Sequence, residues 1–215
     1  MLNLILCIAG ILLILLIAEM LHERKVLKGE YLRKLVHIAA GGFIAFWPWL
    51  ISFQTITYLG VAMLAIMLAN RYIKFFHYHG HMPRPSYGDY FFAVAIIASS
   101  LLTDNNIFFA IAILEVAVAD GLAAVAGTAY GKQWGYKVLG FKKTVIGSMV
   151  FWIATTSILT AGLLAAHENF TFETYYYLLL LLPPGLTLLE NFAVYGIDNL
   201  LIPVALIGIL NMAQI

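Results

Sequence analysis

Charge is scarce in this 215-residue chain: 11% of residues are Asp, Glu, Lys or Arg, while 63% are hydrophobic and the mean hydropathy is +0.93. That scarcity excludes an ordinary soluble domain and points to a polytopic membrane protein. Basic and acidic residues nearly balance, 12 against 11, with a net charge of +1 and no long basic run. Nothing here suits nucleic acid. Cysteine is almost absent too: Cys7, inside an apolar run, can form neither an internal disulfide nor a zinc site by itself. With no heptads, repeat or low-complexity tail, residues 1–215 read as a single membrane-embedded domain, too short for a separate soluble catalytic module beside its spans. Any chemistry falls to the helices and their connections.

What is abundant is apolar runs near the roughly 20 residues that cross a bilayer. They fall at about 3–20, 38–51, 53–70, 88–103, 106–127, 145–166, 174–190 and 199–214. The expected fold is therefore all-α, an integral membrane bundle of about seven to eight segments. The 38–51 run contains Gly41, Gly42, Trp47, Pro48 and Trp49, which suits a tilted, thin or half re-entrant segment. Leu2–Met20 lacks a basic leader and an Ala-x-Ala exit, so it reads as a span rather than a signal peptide. Placing the N-terminus outside puts all the Lys and Arg in the connections 21–37, 71–87 and 128–144, while the opposite connections hold Asp104, Glu168 and Glu173. The positive-inside rule then makes the basic face cytoplasmic, in the inner membrane if the cell is bacterial.

Carboxylates within or bordering these runs carry the functional weight, since an acid at mid-bilayer costs about 2.5–3.5 kcal/mol on insertion scales. Glu115 lies in the fifth run, and Asp120 follows at about 140° around an ideal helix, so a break at Gly121 would be needed to align them. Ala124, Gly127 and Gly131 fall within about 40° of Asp120, a stripe free of large side chains that leads to Lys132. Such a stripe serves either close helix packing or phosphate approach. Beyond it stand Lys142, Lys143, Thr144, Gly147 and Ser148. Acid, small residues, lysines and hydroxyls are what a metal-bound polyphosphate requires.

Further along, Pro183-Pro184-Gly185 is expected to interrupt a span, bringing Glu190 and Asp198 level with Asp120. Taken alone, Asp198-Asn199 reads as an N-cap for the last helix. Arg33 and His37, four apart around Lys34, suit either a basic girdle or an anionic phosphate. His77, His79 and His81, near Arg84, lack the cysteines of a typical zinc site and read as a solvated interfacial loop.

These residues together resemble the CTP-dependent lipid kinases, the family of dolichol kinase, phytol kinase and the yeast-type diacylglycerol kinase. The resemblance rests on Arg33-Lys34-x-x-His37, on Glu115 before Asp120-x-x-Ala123-x-x-x-Gly127-x-x-x-Gly131-Lys132, on Lys143-Thr144-x-x-Gly147-Ser148, and on Asp198-Asn199-Leu-Leu-Ile-Pro203. It covers most of the chain. One position departs: the family glutamate before Gly147 is Ile146.

The resemblance implies Mg²⁺-assisted phosphoryl transfer from CTP to the hydroxyl of a membrane lipid alcohol, whether polyprenol, phytol-like isoprenoid or diacylglycerol, at the cytoplasmic face of the bilayer. It implies catalytic roles for Asp120, Asp198 and Glu190, and metal binding by Asp120, Glu115 and Asp198. The nucleotide would be held by Lys132, Lys142, Lys143, Thr144 and Ser148, with Gly127, Gly131, Gly147, Arg33, Lys34 and His37 around it. Residue chemistry is compatible, because phosphoryl transfer mainly needs positioning and charge neutralisation. A membrane cytidylyltransferase acting on a lipid phosphate would use the same nucleotide but release pyrophosphate; its paired Asp-x-x-x-Asp is missing, since Ala124 stands four after Asp120. A carboxylate-based transporter would place acids near mid-membrane and have no use for the lysine and Thr-Gly-Ser loop.

Overall fold

The computed structural model describes residues 1–73 and 87–214. The expected histidine loop, with His77, His79, His81 and Arg84, lies outside the described residues. Helices run α1 Leu2–Glu23, α2 Gly29–Ile44, α3 Phe53–Ile73, α4 Gly88–Leu102, α5 Asn106–Leu114, α6 Gly121–Tyr130, α7 Val145–Ala165, α8 Phe172–Phe192 and α9 Asp198–Ala213. The expected all-α bundle is found. Four stretches are long and apolar enough to cross a membrane: Leu2–Glu23, Phe53–Asn70, Asn106–Gln133 and Val145–Ala165. Gly88–Leu102 and Asp198–Ala213 are shorter apolar helices.

One of these rods differs from the rest. In Asn106–Gln133, 72% of the apolar window is buried, against 11–22% in the other three. Lipid is as apolar as leucine, so exposed Leu12, Leu13, Leu16, Val61 and Ile66 need no protein cover. The buried rod is the hub. Phe108, Phe109, Ile111 and Ile113 from α5 join Ile96, Phe151, Leu159, Ile202, Leu206 and Leu210 in one core. Small residues set the closest approaches: a Cβ on Gly41 of α2 would come 2.3 Å from Ala117, and one on Gly121 would come 2.4 Å from Ile38. That crossing lays α2 against the middle of the hub.

The hub is not a plain α-helix. Asn105 caps its start by accepting from the N–H groups of Ile107 and Phe108, and Glu115–Asp120 then forms a π-helical segment before α6. A π turn inserts residues into the register without breaking the rod, so the expected break at Gly121 is replaced by a wider turn just before it.

Two further elements depart from expectation. The second apolar run does not begin at 38: α2 starts at Gly29, carries Arg33, Lys34 and His37 on a regular helix, and ends before a 3₁₀ turn at Trp47–Trp49. The α8 helix is also unbroken through Pro183 and Pro184. Each proline removes a donor to the carbonyl four residues back, but a helix packed among neighbours tolerates such losses at membrane depth.

The connection from α6 to α7 holds the one β structure among the described residues. Gly135–Val138 (β1) pairs antiparallel with Phe141–Thr144 (β2), with Tyr136 opposite Lys143 and Lys137 opposite Lys142. Leu139 and Gly140 turn the chain with φ of 48° and 85°, as a two-residue type I′ hairpin loop requires. Strand alternation sends Tyr136, Val138, Phe141 and Lys143 toward the bundle and exposes Lys137 and Lys142.

Candidate active site

Buried charge collects where α2, α8 and α9 meet the end of the π segment. Asp120 closes that segment, Glu190 lies on the last turn of α8, and Asp198 opens α9. Their ligand oxygens all lie within 4.8 Å of one another. Asp120 and Glu190 are each only 7% exposed. At an effective dielectric of about 20, two like charges about 5 Å apart repel by roughly 3 kcal/mol. Three carboxylates so placed need cations.

Two lysines supply part of that charge. Lys34 Nζ, reaching in from α2, bonds Asp120 Oδ2. Lys143 Nζ, reaching in from β2, bonds Glu190 Oε1 and donates to the Glu190 carbonyl at 2.8 Å. Asp198 Oδ1 accepts the Asn199 N–H at 3.1 Å, within its own helix turn. Three acids thus face two ammoniums. Hard carboxylate oxygens with charge to spare are the donor set of Mg²⁺, which keeps waters and phosphate oxygens as its remaining ligands.

Backbone geometry fixes the third acid. Between α8 and α9, Tyr195 and Gly196 have φ of 59° and 86°. A Cβ at Gly196 would sit 2.5 Å from the Gly88 backbone, so glycine is required for this approach. Asn199 Nδ2 donates to the Gly88 carbonyl at 2.8 Å, tying the start of α9 to the start of α4. Asp198 is therefore the first residue of α9 and not its N-cap, a place taken by Ile197.

Glu115 stands apart from this cluster. It is wholly buried, Thr155 Oγ1 on α7 donates to its Oε2 at 2.8 Å, and Oε1 has no hydrogen-bond partner among the described residues. Of the expected metal set of Asp120, Glu115 and Asp198, the structure brings Asp120 and Asp198 together with Glu190, while Glu115 turns toward α7.

Several residues expected at a nucleotide make contacts within the frame. Arg33 donates to Glu30 at 3.0 and 2.6 Å and to Asp89 at 3.2 Å, linking α2 to α4. Burial disfavours its charge, but the Glu30 hydrogen bonds and the field of Asp89 outweigh that and raise its pKa above the usual arginine value. His37 packs edge-on against Phe92 and lies 3.1 Å from the Val116 carbonyl in the π segment. A carbonyl only accepts, so Nε2 carries the proton. Thr144 caps α7 by accepting the Gly147 N–H at 3.0 Å. It also fills the small-residue stripe: a Cβ at Gly127 or Gly131 would approach Thr144 to 2.7 or 2.5 Å, and one at Gly147 to 2.9 Å. Of its two readings, the stripe takes close packing.

Ser148, another expected phosphate donor, lies 2.6 Å from the Tyr136 hydroxyl and donates to Asn191 Oδ1 at 3.2 Å; Tyr136 bonds Asn191 as well. Phe141 meets Tyr195 edge-on at 5.0 Å. These contacts seat the hairpin on the ends of α8 and α9 and aim Lys143 at the acids. Lys132, in the turn before β1, and Lys142, on β2, are exposed. Tyr136 and Asn191 were not legible in advance, although the alternation of Tyr136, Val138 and Phe141 around Leu139-Gly140 is a hairpin signal.

The chain is similar along most of its length to a phytol kinase from Synechocystis sp., at 30% identity over 204 residues that cover 88% of this chain and 82% of that protein. No family model matches it, and no solved structure matches it.

Proposed function

The chain belongs to the phytol kinase family, and from that premise we propose that it transfers the γ-phosphoryl group of CTP to the hydroxyl of a membrane lipid alcohol. The observation that carries this reading is the trio Asp120, Glu190 and Asp198, bracketed by Lys34 and Lys143 at one end of an apolar bundle. A polar cluster at a membrane edge would meet a nucleotide from water and an alcohol from lipid. The positive-inside distribution makes that edge cytoplasmic.

Asp120 and Glu190 would hold Mg²⁺, which would supply neutralisation of the triphosphate oxygens. Lys34 and Lys143 hold the β- and γ-phosphates. The alcohol oxygen attacks the γ-phosphorus, the bond from γ-phosphorus to the β,γ-bridging oxygen breaks, and CDP leaves with that electron pair. Asp198, the acid that no lysine bonds in the ion pairs described above, accepts the hydroxyl proton. The seated hairpin keeps Lys143 at the cluster throughout.

The test is incubation of purified protein with γ-labelled CTP or ATP, Mg²⁺, and phytol, a long polyprenol or diacylglycerol. Label in a lipid alcohol with release of CDP supports the reading. Pyrophosphate release, or no transfer to any alcohol, overturns it.

A further inference from the structure

The acid trio and its two lysines have a consequence for the order in which ligands can enter. We propose that Lys34 and Lys143 are exchangeable counterions: each pairs with a carboxylate of the trio that could hold a divalent cation, and each moves to phosphate when cation and nucleotide arrive together. The inference rests on the kinase reading above and deepens it.

Competition follows from the atoms. Lys34 bonds Oδ2 of Asp120, and Lys143 bonds Oε1 of Glu190; both acids belong to the trio that could ligate a metal. A divalent cation entering alone competes with an ammonium for the charge of each carboxylate, and an ammonium that yields loses its ion-pair partner. Lys34 has only 8% of its side chain exposed and Lys143 19%, so neither can simply retire into bulk water. An unpaired charge at such depth is strongly disfavoured. Arriving with a triphosphate, the cation brings the replacement anions with it.

The parts that must move are also the movable ones. The acids sit on the hub, α8 and α9, which are packed rods, whereas each ammonium rides a flexible four-carbon stem. Lysine is a point charge with three rotatable donors, suited to a change of partner in a way that a planar guanidinium is not. Arg33, by contrast, is fixed by hydrogen bonds to both Glu30 and Asp89. Cation and nucleotide therefore bind with positive coupling, and the coupling is reciprocal.

The signature is a pair of opposite shifts. Full-length protein in nanodiscs is titrated with Mn²⁺, with and without CTP, read as loss of the free-ion electron paramagnetic resonance signal beyond that of a protein-free blank with the same CTP. Wild type is expected to bind Mn²⁺ weakly alone and about tenfold or more tightly with CTP, within the usual range of site coupling. In Lys34→Met and Lys143→Met, Mn²⁺ alone should bind about tenfold tighter while its enhancement by CTP shrinks. Lys137→Met, on the outer face of the hairpin, should change neither value. A purely structural lysine would weaken both affinities together, and that outcome, or no change in either, overturns the exchange. If the methionine variants fail to fold, the wild-type titrations still decide: equal Mn²⁺ affinity with and without CTP overturns it. Wild type that binds Mn²⁺ under neither condition would bring down the kinase reading as well, whereas CTP-enhanced binding left unshifted by the lysine variants would bring down the exchange alone.

Discussion

Glu115 and Asp120 stand at the two ends of one π-helical segment, five residues apart, and are nearly equal in burial at 0% and 7% exposure. Their surroundings differ completely. Asp120 faces Lys34, Glu190 and Asp198 from three other helices, whereas among the described residues Glu115 has a single hydroxyl, Thr155, as its hydrogen-bond donor. The contrast shows that burial of an acid in a membrane bundle does not by itself mark a reaction centre. Under the function proposed above, convergent charge from several elements does.

The strongest way to break this contrast is at Asp198, which completes the trio. Asp198→Asn is expected to lower turnover on the order of a hundredfold or more, the scale of losing one preorganised electrostatic contact, with helix content unchanged by circular dichroism. An effect of a few-fold would return Asp198 to a local role at the start of α9. Lys143 comes next. Lys143→Met should raise the KM for CTP about tenfold with little change for the lipid, while Lys137→Met on the opposite face of the hairpin leaves both alone. Equal effects at the two positions would make the lysines a generic basic girdle.

The Glu115 side is probed by stability. Thr155→Val removes the donor to Glu115 and should cost about 1–2 kcal/mol in unfolding from mild detergent, with the KM for CTP unchanged. A rise in that KM without loss of stability would join Glu115 to the reaction centre. The smallest effect is expected at Ile146, where the family pattern has an acid. It occupies the first turn of α7, half-buried, one residue before Gly147. A carboxylate near a helix N-terminus is favourable, so Ile146→Glu should express and melt like wild type; misfolding would mean that this turn faces lipid or packed core.

Composition and hydropathy made the helical membrane fold legible, because lipid tolerates the apolar outer faces that a soluble protein must cover. The acids Asp120, Glu190 and Asp198 stood out in the sequence for the same reason. Their assembly did not, because it depends on features that no local pattern announces: a π segment in the hub, an unbroken α8 despite two prolines, and the approach of Gly196 to Gly88. Thr144, Ser148, Gly127 and Gly131 illustrate the converse. A motif of glycines and hydroxyls reads as a phosphate cradle, yet Thr144 caps α7 and fills the glycine stripe, and Ser148 anchors the hairpin. Sequence spacing cannot tell a donor aimed at a ligand from one aimed at the next helix.

The most direct measurement is label transfer from γ-labelled CTP to a lipid alcohol by Asp120→Asn and Glu115→Gln proteins, each verified as folded and assayed beside wild type. Asp120→Asn is expected to abolish transfer while Glu115→Gln retains most of it. Near-normal transfer by Asp120→Asn, with loss in Glu115→Gln, would contradict the assignment of the acid trio as the reaction centre.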